Sequence, residues 1–591
     1  MNSAPIKNEG WLYWLAFLIA LSFRMVVLGA APLTDSEATL AVQALHIAQG
    51  KLPLLGPQPG YILLTSILFA VIESTNFMAR FVPAIAGSAL VFAPYFFREK
   101  IKPRPALVLA FLLAIDPGLV AVSRQANGTI LAVAFLLFAW GMWRNRRLIP
   151  AGVFAGLALL SGPSLWAGLL ALGLTGLFLR NMEARPADGG SSLVDPSVAP
   201  DPQAANSGFS NIEYRPALLA LIVTILLGGT LFFLSPNGLS AWLSALPAYL
   251  RGWTASSTMT PGRMLFTFVA YEPLGAFLAI LSLIRGYRTK SRRIFRLSMW
   301  LGVSLLLAVF YRQAAELTWA IIPLLTLASL ELARALNVYA EERVEVGLVI
   351  VALMVLLIYT WFDISRIGLD PYSQIGATTL PFFGSTLQIA AAPYVILLGA
   401  FLILILCVAF VAFGWSARTA WLGTTWAFVI FLGIYSLGAA WGASRLRPQT
   451  GFEFWQPDQP PVQAQLLLTT AEDVSKYSLG QTQAQPVTIM GVDSPALQWL
   501  LHDREVDVVP ALDPQVAPPL VITPVMNDLG LPSAYRGQDF IWRQSPQWQE
   551  IKAPDWIRWL VFRQLPHGDE TLILWARDDL FPDARPASQQ P

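Results

Sequence analysis

Long apolar segments recur along this sequence, and they constrain its fold more than any other feature. The hydrocarbon core of a bilayer is about 30 Å thick, which a helix of roughly 17 to 25 apolar residues can cross. The composition agrees, since 55% of the residues are hydrophobic and only 13% are charged, whereas about 25% are charged in soluble domains. The sequence therefore predicts a polytopic α-helical membrane protein with thirteen spans, near residues 11–31, 79–97, 105–122, 127–143, 148–161, 163–180, 216–234, 264–284, 295–311, 316–334, 346–362, 392–414 and 419–440.

Loop charge predicts the orientation independently, because short cytoplasmic loops retain Lys and Arg. With the N-terminus in the cytoplasm, the cytoplasmic side holds twenty such residues and the outer loops hold seven, leaving out the C-terminal region. The apolar run 60–72 is short for a span, and counting it as one would place the basic cluster 285–296 outside. We therefore predict that this run lies at the membrane interface.

The predicted organisation is a membrane domain over residues 1–441 and an extracytoplasmic α/β domain over residues 442–591, in an integral plasma-membrane protein. In the C-terminal region the runs PVTIMG, PLVITP, WIRWLVF and TLILWAR favour strands, and SPALQWLLHDR favours a helix. Residues 32–78 and 235–263 form long outer loops. The segment 182–211, rich in Pro, Gly, Ser and Ala, is predicted to be a flexible cytoplasmic linker.

The first outer loop carries two carboxylates, Asp35 and Glu37, directly before an amphipathic stretch. Apolar residues recur at helical spacing over residues 38–48, so an interfacial helix is predicted there. One interpretation of the carboxylates is structural, because Thr34 and Glu37 match a capping box and Asp35 suits the positive end of the helix dipole. The other interpretation is catalytic, with Asp35 facing a cavity. The two are compatible.

Basic side chains on the outer side provide candidate ligands for a lipid phosphate, which a guanidinium binds in bidentate fashion. Arg124 lies in the second outer turn, after Asp116, and snorkelling to the headgroups is its structural alternative. The loop 235–263 is suited to a mobile lid over a lipid substrate. The candidate arginines are Arg80, Arg124, Arg251 and Arg263.

Tyr271 and Glu272 lie about two turns inside a predicted span. An ionisable residue at such a depth is costly and is by default a functional candidate. Arg263 and Arg124 are possible partners for Glu272. The structural alternative is a carboxylate held near the aqueous boundary.

Several of these segments together resemble the GT-C glycosyltransferase fold, in its protein O-mannosyltransferase and aminoarabinose transferase branch. The resemblance rests on DSEATLAVQALHIAQG after the first span, on PGYILLTSILFAVIESTNFMARFVPAIAGSALVFAPYFFR, and on the Ser-Arg pair 123–124. The YEP around Glu272 and the segment SPALQWLLHDREVDVV look like the flippase-activity-associated family of prokaryotic membrane proteins. The resemblance covers most of residues 10–290 and, loosely, the C-terminal domain.

The resemblance implies transfer of a sugar from a polyprenyl- or dolichyl-phosphate-linked donor to a protein, lipid or polysaccharide acceptor on the outer face of the membrane. A carboxylate of the first outer loop would be the general base, Asp35 in preference to Glu37, and Arg124 or another outer cation would stabilise the leaving phosphate. The net charge of +2, with basic residues scattered over loops, carries no signal for nucleic acid, so no nucleic-acid partner is expected. The remaining predicted substrate-binding residues are Arg80, Arg251, Arg263, Tyr271 and Glu272.

Two departures from the family pattern leave alternatives open. Many members have adjacent Asp and Glu residues, whereas here Ser36 separates the two carboxylates, and Asn127 and Gly128 occupy the neighbourhood where another Asp is common. A non-catalytic scaffold or assembly subunit with this fold is one alternative, and a lipid-linked sugar transporter or flippase is another. No cofactor is expected. Mg²⁺ or Mn²⁺ bridged by Asp35 and Glu37 is the alternative, although no third ligand is evident.

Overall fold

The structure is a computed structural model that describes residues 9–183, 214–336, 342–372, 377–382, 385–390, 392–444, 451–456 and 458–581. From residue 184 onwards the predicted linker 182–211 lies outside these ranges, and its first two residues end a helix. Within the described ranges, a large helical domain precedes a small α/β domain.

Helices account for most of the first 444 residues. The helices in residues 9–183 are α1 (Glu9–Met25), α2 (Asp35–Ala48), α3 (Pro59–Val71), α4 (Asn76–Ala89), α5 (Ala93–Phe96), α6 (Arg98–Ile101), α7 (Pro103–Ile115), α8 (Pro117–Ser123), α9 (Thr129–Arg144), α10 (Leu148–Leu160) and α11 (Ser164–Glu183). The next are α12 (Arg215–Gly229), α13 (Asn237–Gly252), α14 (Pro261–Tyr271), α15 (Pro273–Arg288), α16 (Arg292–Tyr311), α17 (Thr318–Ala335), α18 (Arg343–Leu369), α19 (Ala392–Gly414) and α20 (Ala417–Ala443). Each predicted span coincides with at least one of them.

Seven helices of the described ranges are long and apolar enough to cross a membrane, or up to nine if each of two bent helix pairs is one span. The chain is therefore an integral membrane protein. Other apolar helices, such as α9, α10 and α12, have 10 to 17 residues. The exact number of thirteen spans consequently stays a prediction.

Both bent pairs break at an acidic residue that precedes a proline. Helices α7 and α8 meet at Asp116 with a bend of 56°, and α14 and α15 meet at Glu272 with a bend of 88°. Proline lacks the amide hydrogen that a helix interior needs, and it disfavours helical geometry in the residue before it. The Asp-Pro and Glu-Pro dipeptides thus set both bends.

Helix α17 lies at the centre of the membrane domain. It belongs to the candidate span Ala314–Ala335, and 83% of the most apolar 18-residue stretch of that span is buried within the protein. Helix α17 packs against α7, α15 and α16. Helices α18, α19 and α20 pack against one another. Only 28%, 11% and 33%, respectively, of their most apolar 18-residue stretches are buried within the protein. Their exposed apolar faces are those of helices that contact lipid.

The first outer loop folds into two helices, as predicted. Helix α2 begins with the predicted capping box, and α3 covers the apolar run 60–72 that is predicted to lie at the interface. The two pack against each other, and α3 also packs against α4. The loop therefore forms an ordered layer on one end of the bundle.

A five-stranded sheet forms the core of the C-terminal domain. Its strands are β3 (Val487–Met490), β4 (Val506–Val509), β5 (Leu520–Pro524), β6 (Tyr535–Pro546) and β7 (His567–Arg577), in the order β4-β3-β5-β7-β6. Strand β3 is parallel to β4 and β5, whereas β7 is antiparallel to β5 and β6. The helices are α21 (Ala464–Leu479), α22 (Pro495–Leu500) and α23 (Ala553–Phe562), and a separate hairpin of β1 (Ala377–Phe382) and β2 (Ser385–Ala390) precedes α19.

The strand prediction for WIRWLVF was wrong, because these residues belong to α23. Pro554 stands in the first turn, and Asp555 accepts a hydrogen bond from the backbone N–H of Lys552, so the segment has a helix start. Short apolar runs do not distinguish a strand from a buried helix by periodicity alone.

The C-terminal domain packs at several places on the end of the membrane domain that carries α2 and α3. Helix α22 packs against α2, and its Trp499 stacks on Phe69 and donates a hydrogen bond to Asn76 at 2.7 Å. Helix α23 packs against α18. The indole of Trp455 is buried against Gly118, where even an added Cβ would lie 2.4 Å from the ring.

Candidate active site

Both carboxylate oxygens of Glu37 accept hydrogen bonds from other groups of the protein. Its Oε2 accepts from the backbone N–H of Thr34 at 3.0 Å, which completes the capping box with the Thr34 hydroxyl. Arg80 donates to both carboxylate oxygens, at 2.8 and 2.7 Å. The backbone N–H of Ala126 donates to Oε1 at 2.9 Å. Glu37 thus joins the first outer loop to α4 and to the second outer turn.

The electrostatics of Glu37 follow from these contacts. Burial alone would raise the pKa of this carboxyl group, but the charge and hydrogen bonds of Arg80, with the backbone donors of Thr34 and Ala126, hold its pKa below the ordinary value. Glu37 is therefore an ionised, well-partnered structural carboxylate in this arrangement.

Arg80 extends the same network. Besides Glu37, its guanidinium donates to the backbone carbonyls of Leu28, Ala31 and Pro32, at 3.3, 2.8 and 3.0 Å. The side chain is buried, with 5% of its surface exposed. Arg80 holds the chain between α1 and α2 in place.

Asp35 points towards the C-terminal domain instead. Its Oδ1 accepts hydrogen bonds from the Ser494 hydroxyl at 2.7 Å and from the backbone N–H of Ala496 at 3.0 Å. Its Oδ2 forms an ion pair with Arg543 of β6. The Asp35 side chain remains 21% exposed, whereas that of Glu37 is 6% exposed. Asp35 is thus the more accessible of the two carboxylates.

The two carboxylates serve different partners because they are two positions apart at the start of one helix, and such positions face different sides. The groups that contact Asp35 are all different from those that contact Glu37. Across the residues that the structure describes, no three side chains of His, Cys, Asp or Glu are grouped so that they could hold a metal ion.

Arg124 lies at the end of α1. Its guanidinium donates to the backbone carbonyls of Phe23, Arg24, Val26 and Val27, at 2.9 to 3.3 Å, among other contacts. Phe23 and Arg24 lie in the last turn of α1, where carbonyls have no amide partner within the helix, and a cation suits the negative end of a helix dipole. Arg124 is 6% exposed, so the position occupied here is a structural one.

Arg251 and Arg263 belong to the loop 235–263, and neither contacts Asp35. Arg251 is exposed near the end of α13 and contacts the carbonyl of Pro247. Arg263 donates to the carbonyl of Thr258, and its guanidinium lies 3.8 Å from the ring centroid of Trp548 in the C-terminal domain. Much of this predicted lid is helical, since α13 spans Asn237–Gly252.

Tyr271 takes part in a buried cluster between the two domains. Its hydroxyl donates to the carboxylate of Glu453 and accepts from the backbone N–H of Phe454 at 3.3 Å. The guanidinium of Arg563 lies 4.9 Å from the Tyr271 ring and 3.7 Å from Glu453. Burial opposes the charge on Arg563, yet the Glu453 carboxylate beside it helps to hold its pKa above the ordinary value.

Glu272 interacts directly with Asp116, so the two helix breaks meet in the interior. The partners expected for Glu272, Arg263 and Arg124, bind elsewhere. Within the described ranges, Asp116 Oδ2 and Glu272 Oε1 have no hydrogen-bond partner, while Asp116 Oδ1 caps α8 through the N–H of Leu119. The nearby charge of Arg24 partly compensates this buried acidic pair.

Two residues around the site, Arg24 and Arg543, are not among the candidates predicted from the sequence. Arg24 lies inside the first apolar segment and is fully buried, where it donates to Ser123 and to the carbonyls of Leu113 and Ala114. An ionisable residue in a predicted span was the signal that could have identified it. Arg543, in contrast, lies 508 positions from Asp35, and only the fold brings the two together.

Among known proteins, similarity to this chain is found in structure and not in sequence. No protein-family model matches the sequence, and no curated protein matches it. Two solved structures of similar fold are both of ArnT from Cupriavidus metallidurans. The first, in the apo state, has a TM-score of 0.47 at 12% identity and covers 87% of this chain and 93% of that one. The second, bound to undecaprenyl phosphate, has a TM-score of 0.49 at 12% identity and covers 88% of this chain and 94% of that one.

Proposed function

We propose that this protein is a membrane glycosyltransferase with a GT-C-like fold. It moves a sugar from a polyprenyl- or dolichyl-phosphate-linked donor to a protein, lipid or polysaccharide acceptor at the outer face. The sequence resemblance supports this class of enzyme. The main support for the position of the active site is the partly exposed Asp35 carboxylate, which lies where the first outer loop meets the C-terminal domain. The proposed orientation has the N-terminus in the cytoplasm and the C-terminal domain outside.

Asp35 is the proposed general base. It removes the proton from an acceptor hydroxyl as that oxygen bonds to the anomeric carbon of the sugar. The bond between the anomeric carbon and the phosphate oxygen breaks with its electron pair, so the lipid phosphate leaves as an anion. A single displacement of this kind inverts the anomeric centre.

Arg543 is the proposed cation for that phosphate. In the free protein it pairs with Asp35, and Glu570 lies 3.8 Å away. A donor phosphate competes for the same guanidinium, and the competition releases the Asp35 carboxylate for the acceptor. Arg80 and Arg124, which are committed to backbone carbonyls, then keep the outer end of the membrane domain rigid around the site.

A non-catalytic scaffold is the second candidate, and a specific observation favours it. Both first-loop carboxylates are already satisfied by protein donors, and Asp35 joins the C-terminal domain to α2. In that case Asp35 contributes to docking alone.

Sugar transfer from a polyprenyl-phosphate donor by the purified full-length chain distinguishes the two candidates. The transferase hypothesis predicts that Asp35→Asn lowers the rate by about 100-fold or more, the usual contribution of a general base. Ser494→Ala is the matched control, because it removes a docking contact of Asp35 and keeps the carboxylate. Equal losses in both variants, or no transfer by the wild type with several sugars and acceptors, would favour the scaffold.

A further inference from the structure

A large cavity lies inside the membrane domain, away from the outer site. Its volume is about 740 Å³, within the range of about 300 to 1,000 Å³ that is usual for ligand sites. Side chains of α7, α9, α11, α16 and α17 line it, and the walls are mainly apolar. Representative wall residues are Leu113, Leu137, Leu172, Leu297 and Ile322.

Four cations line one end of this cavity. Lys100 belongs to α6, Arg144 is the last residue of α9, and Arg293 and Arg296 lie in the first turns of α16. Among the described residues, none of these four side chains has an ion pair or a hydrogen bond with the protein. The apolar chamber therefore adjoins a cluster of positive charge that no acidic side chain of the described ranges pairs with.

Two buried donors in the same place lack a partner. Arg293 Nη2 and the indole Nε1 of Trp300 are buried without a hydrogen-bond partner in the described part of the chain, and Trp300 is only 9% exposed. Trp140, which also lines the cavity, packs edge-to-face on Trp300 and on Phe97. Trp140 lies four residues before the end of α9, and tryptophan near the end of an apolar helix is typical of the headgroup level of a bilayer.

The cationic end lies opposite the outer site. Helix α9 starts at Thr129, three residues after the Ala126 amide that binds Glu37, and ends at Arg144. Sixteen residues of helix measure about 24 Å. The cavity is therefore separate from the proposed transferase site, and ligand binding in the cavity does not depend on sugar transfer at the outer face.

We propose that this cavity binds an anionic phospholipid of the bilayer. An acyl chain fills the apolar chamber, and the phosphate accepts hydrogen bonds from Arg293, Arg296 and the Trp300 indole. Guanidinium groups bind phosphate in bidentate fashion, and basic pockets between membrane helices suit lipid headgroups. The ligand supplies both the negative charge and the acceptors that the protein lacks there.

Binding of phosphatidylglycerol to the detergent-purified full-length protein, followed by native mass spectrometry, tests the proposal. The double variant Arg293→Gln with Arg296→Gln should bind at least about tenfold more weakly, because charge-assisted hydrogen bonds are lost. Arg292→Gln is the matched control, since Arg292 does not line the cavity, and it should bind as the wild type does.

A second pair of variants fills the chamber without removing charge. A Cβ at Gly176 or Gly173 meets nothing within 4 Å, but only Gly176 lines the cavity. Gly176→Phe should therefore reduce binding, while Gly173→Phe should not. Wild-type binding by both Gly176→Phe and the arginine double variant would overturn the proposal.

Three further ligands identify the occupant. Diacylglycerol with the same acyl chains and inorganic phosphate alone should each bind much more weakly than phosphatidylglycerol, because each lacks one half of the ligand. Equal binding of either one contradicts a phospholipid. A clear preference for undecaprenyl phosphate over phosphatidylglycerol would also overturn the assignment, in favour of a polyprenyl carrier.

Discussion

Arg80 donates to both oxygens of Glu37 across 43 positions of sequence, and both side chains are buried. Their pairing fixes the first outer loop on α4 and leaves Asp35, two residues earlier, to bind the C-terminal domain. Glu37 therefore forms contacts within the membrane domain, whereas Asp35 forms contacts with the C-terminal domain.

We expect Glu37→Gln to destabilise the protein by about 3 kcal/mol, since removing one partner leaves the Arg80 charge buried and uncompensated. Thermal or denaturant unfolding in detergent measures this change. Glu73→Gln is the control, because Glu73 is exposed in the same loop. Similar stability of the two variants would show that the Glu37 pair contributes little.

The same pair should make stability depend on pH. Because the pKa of Glu37 is lowered in the folded protein, its contribution is fully present above the ordinary carboxyl pKa of about 4.3 and is lost as the pH falls through the lower folded value. The difference in melting temperature between wild type and Glu37→Gln should thus shrink on acidification below about pH 4. A constant difference from pH 7 to pH 3.5 would contradict this coupling.

Substitution of Gly118 should loosen the contact between the two domains. A Cβ there would lie 2.4 Å from the Trp455 ring and 2.6 Å from Ile321, and tightly packed interiors do not absorb such overlap without cost. We expect Gly118→Leu to lower the melting temperature and to speed proteolysis between the domains. Gly302→Leu, where a Cβ meets nothing within 4 Å, should leave both measurements unchanged.

Tyr271→Phe should cost about 1 to 3 kcal/mol, because Glu453 and the Phe454 amide lose their hydroxyl partner in a buried place. Unfolding followed by tryptophan fluorescence suits this test, since Trp455 and Trp559 pack on the Tyr271 ring. Tyr287→Phe changes an 88% exposed tyrosine and serves as the reference. Equal losses of stability in the two variants would contradict a structural role of the Tyr271 hydroxyl.

Local features of the fold could be predicted from the sequence. The capping box of Thr34 and Glu37 depends on residues three positions apart, and the apolar periods mark the helices of the membrane domain. The number of crossings could not be fixed, because α9, α10 and α12 are short for a span and two other helix pairs bend sharply at prolines.

The partners of the candidate residues could not be predicted, because they come from distant segments. Glu272 meets Asp116 since both stand at helix breaks, yet no pattern in the sequence relates the two breaks. The position of Arg124 in the sequence suits a phosphate ligand, although four carbonyls at the end of α1 compete for it. Pairing of this kind depends on the relative placement of helices, which a single sequence does not encode locally.

The contact between Asp35 and Arg543 also has a consequence for biosynthesis. The two residues are 508 positions apart, and Ser494 and Ala496 are nearly as far from Asp35. Domains generally fold in the order of synthesis, the N-terminal part first. The Asp35 carboxylate therefore lacks these partners until the ribosome has synthesised the chain as far as Arg543 and β6 has folded. A nascent product can insert its first helices into the membrane and still lack the contacts that join Asp35 to the C-terminal domain.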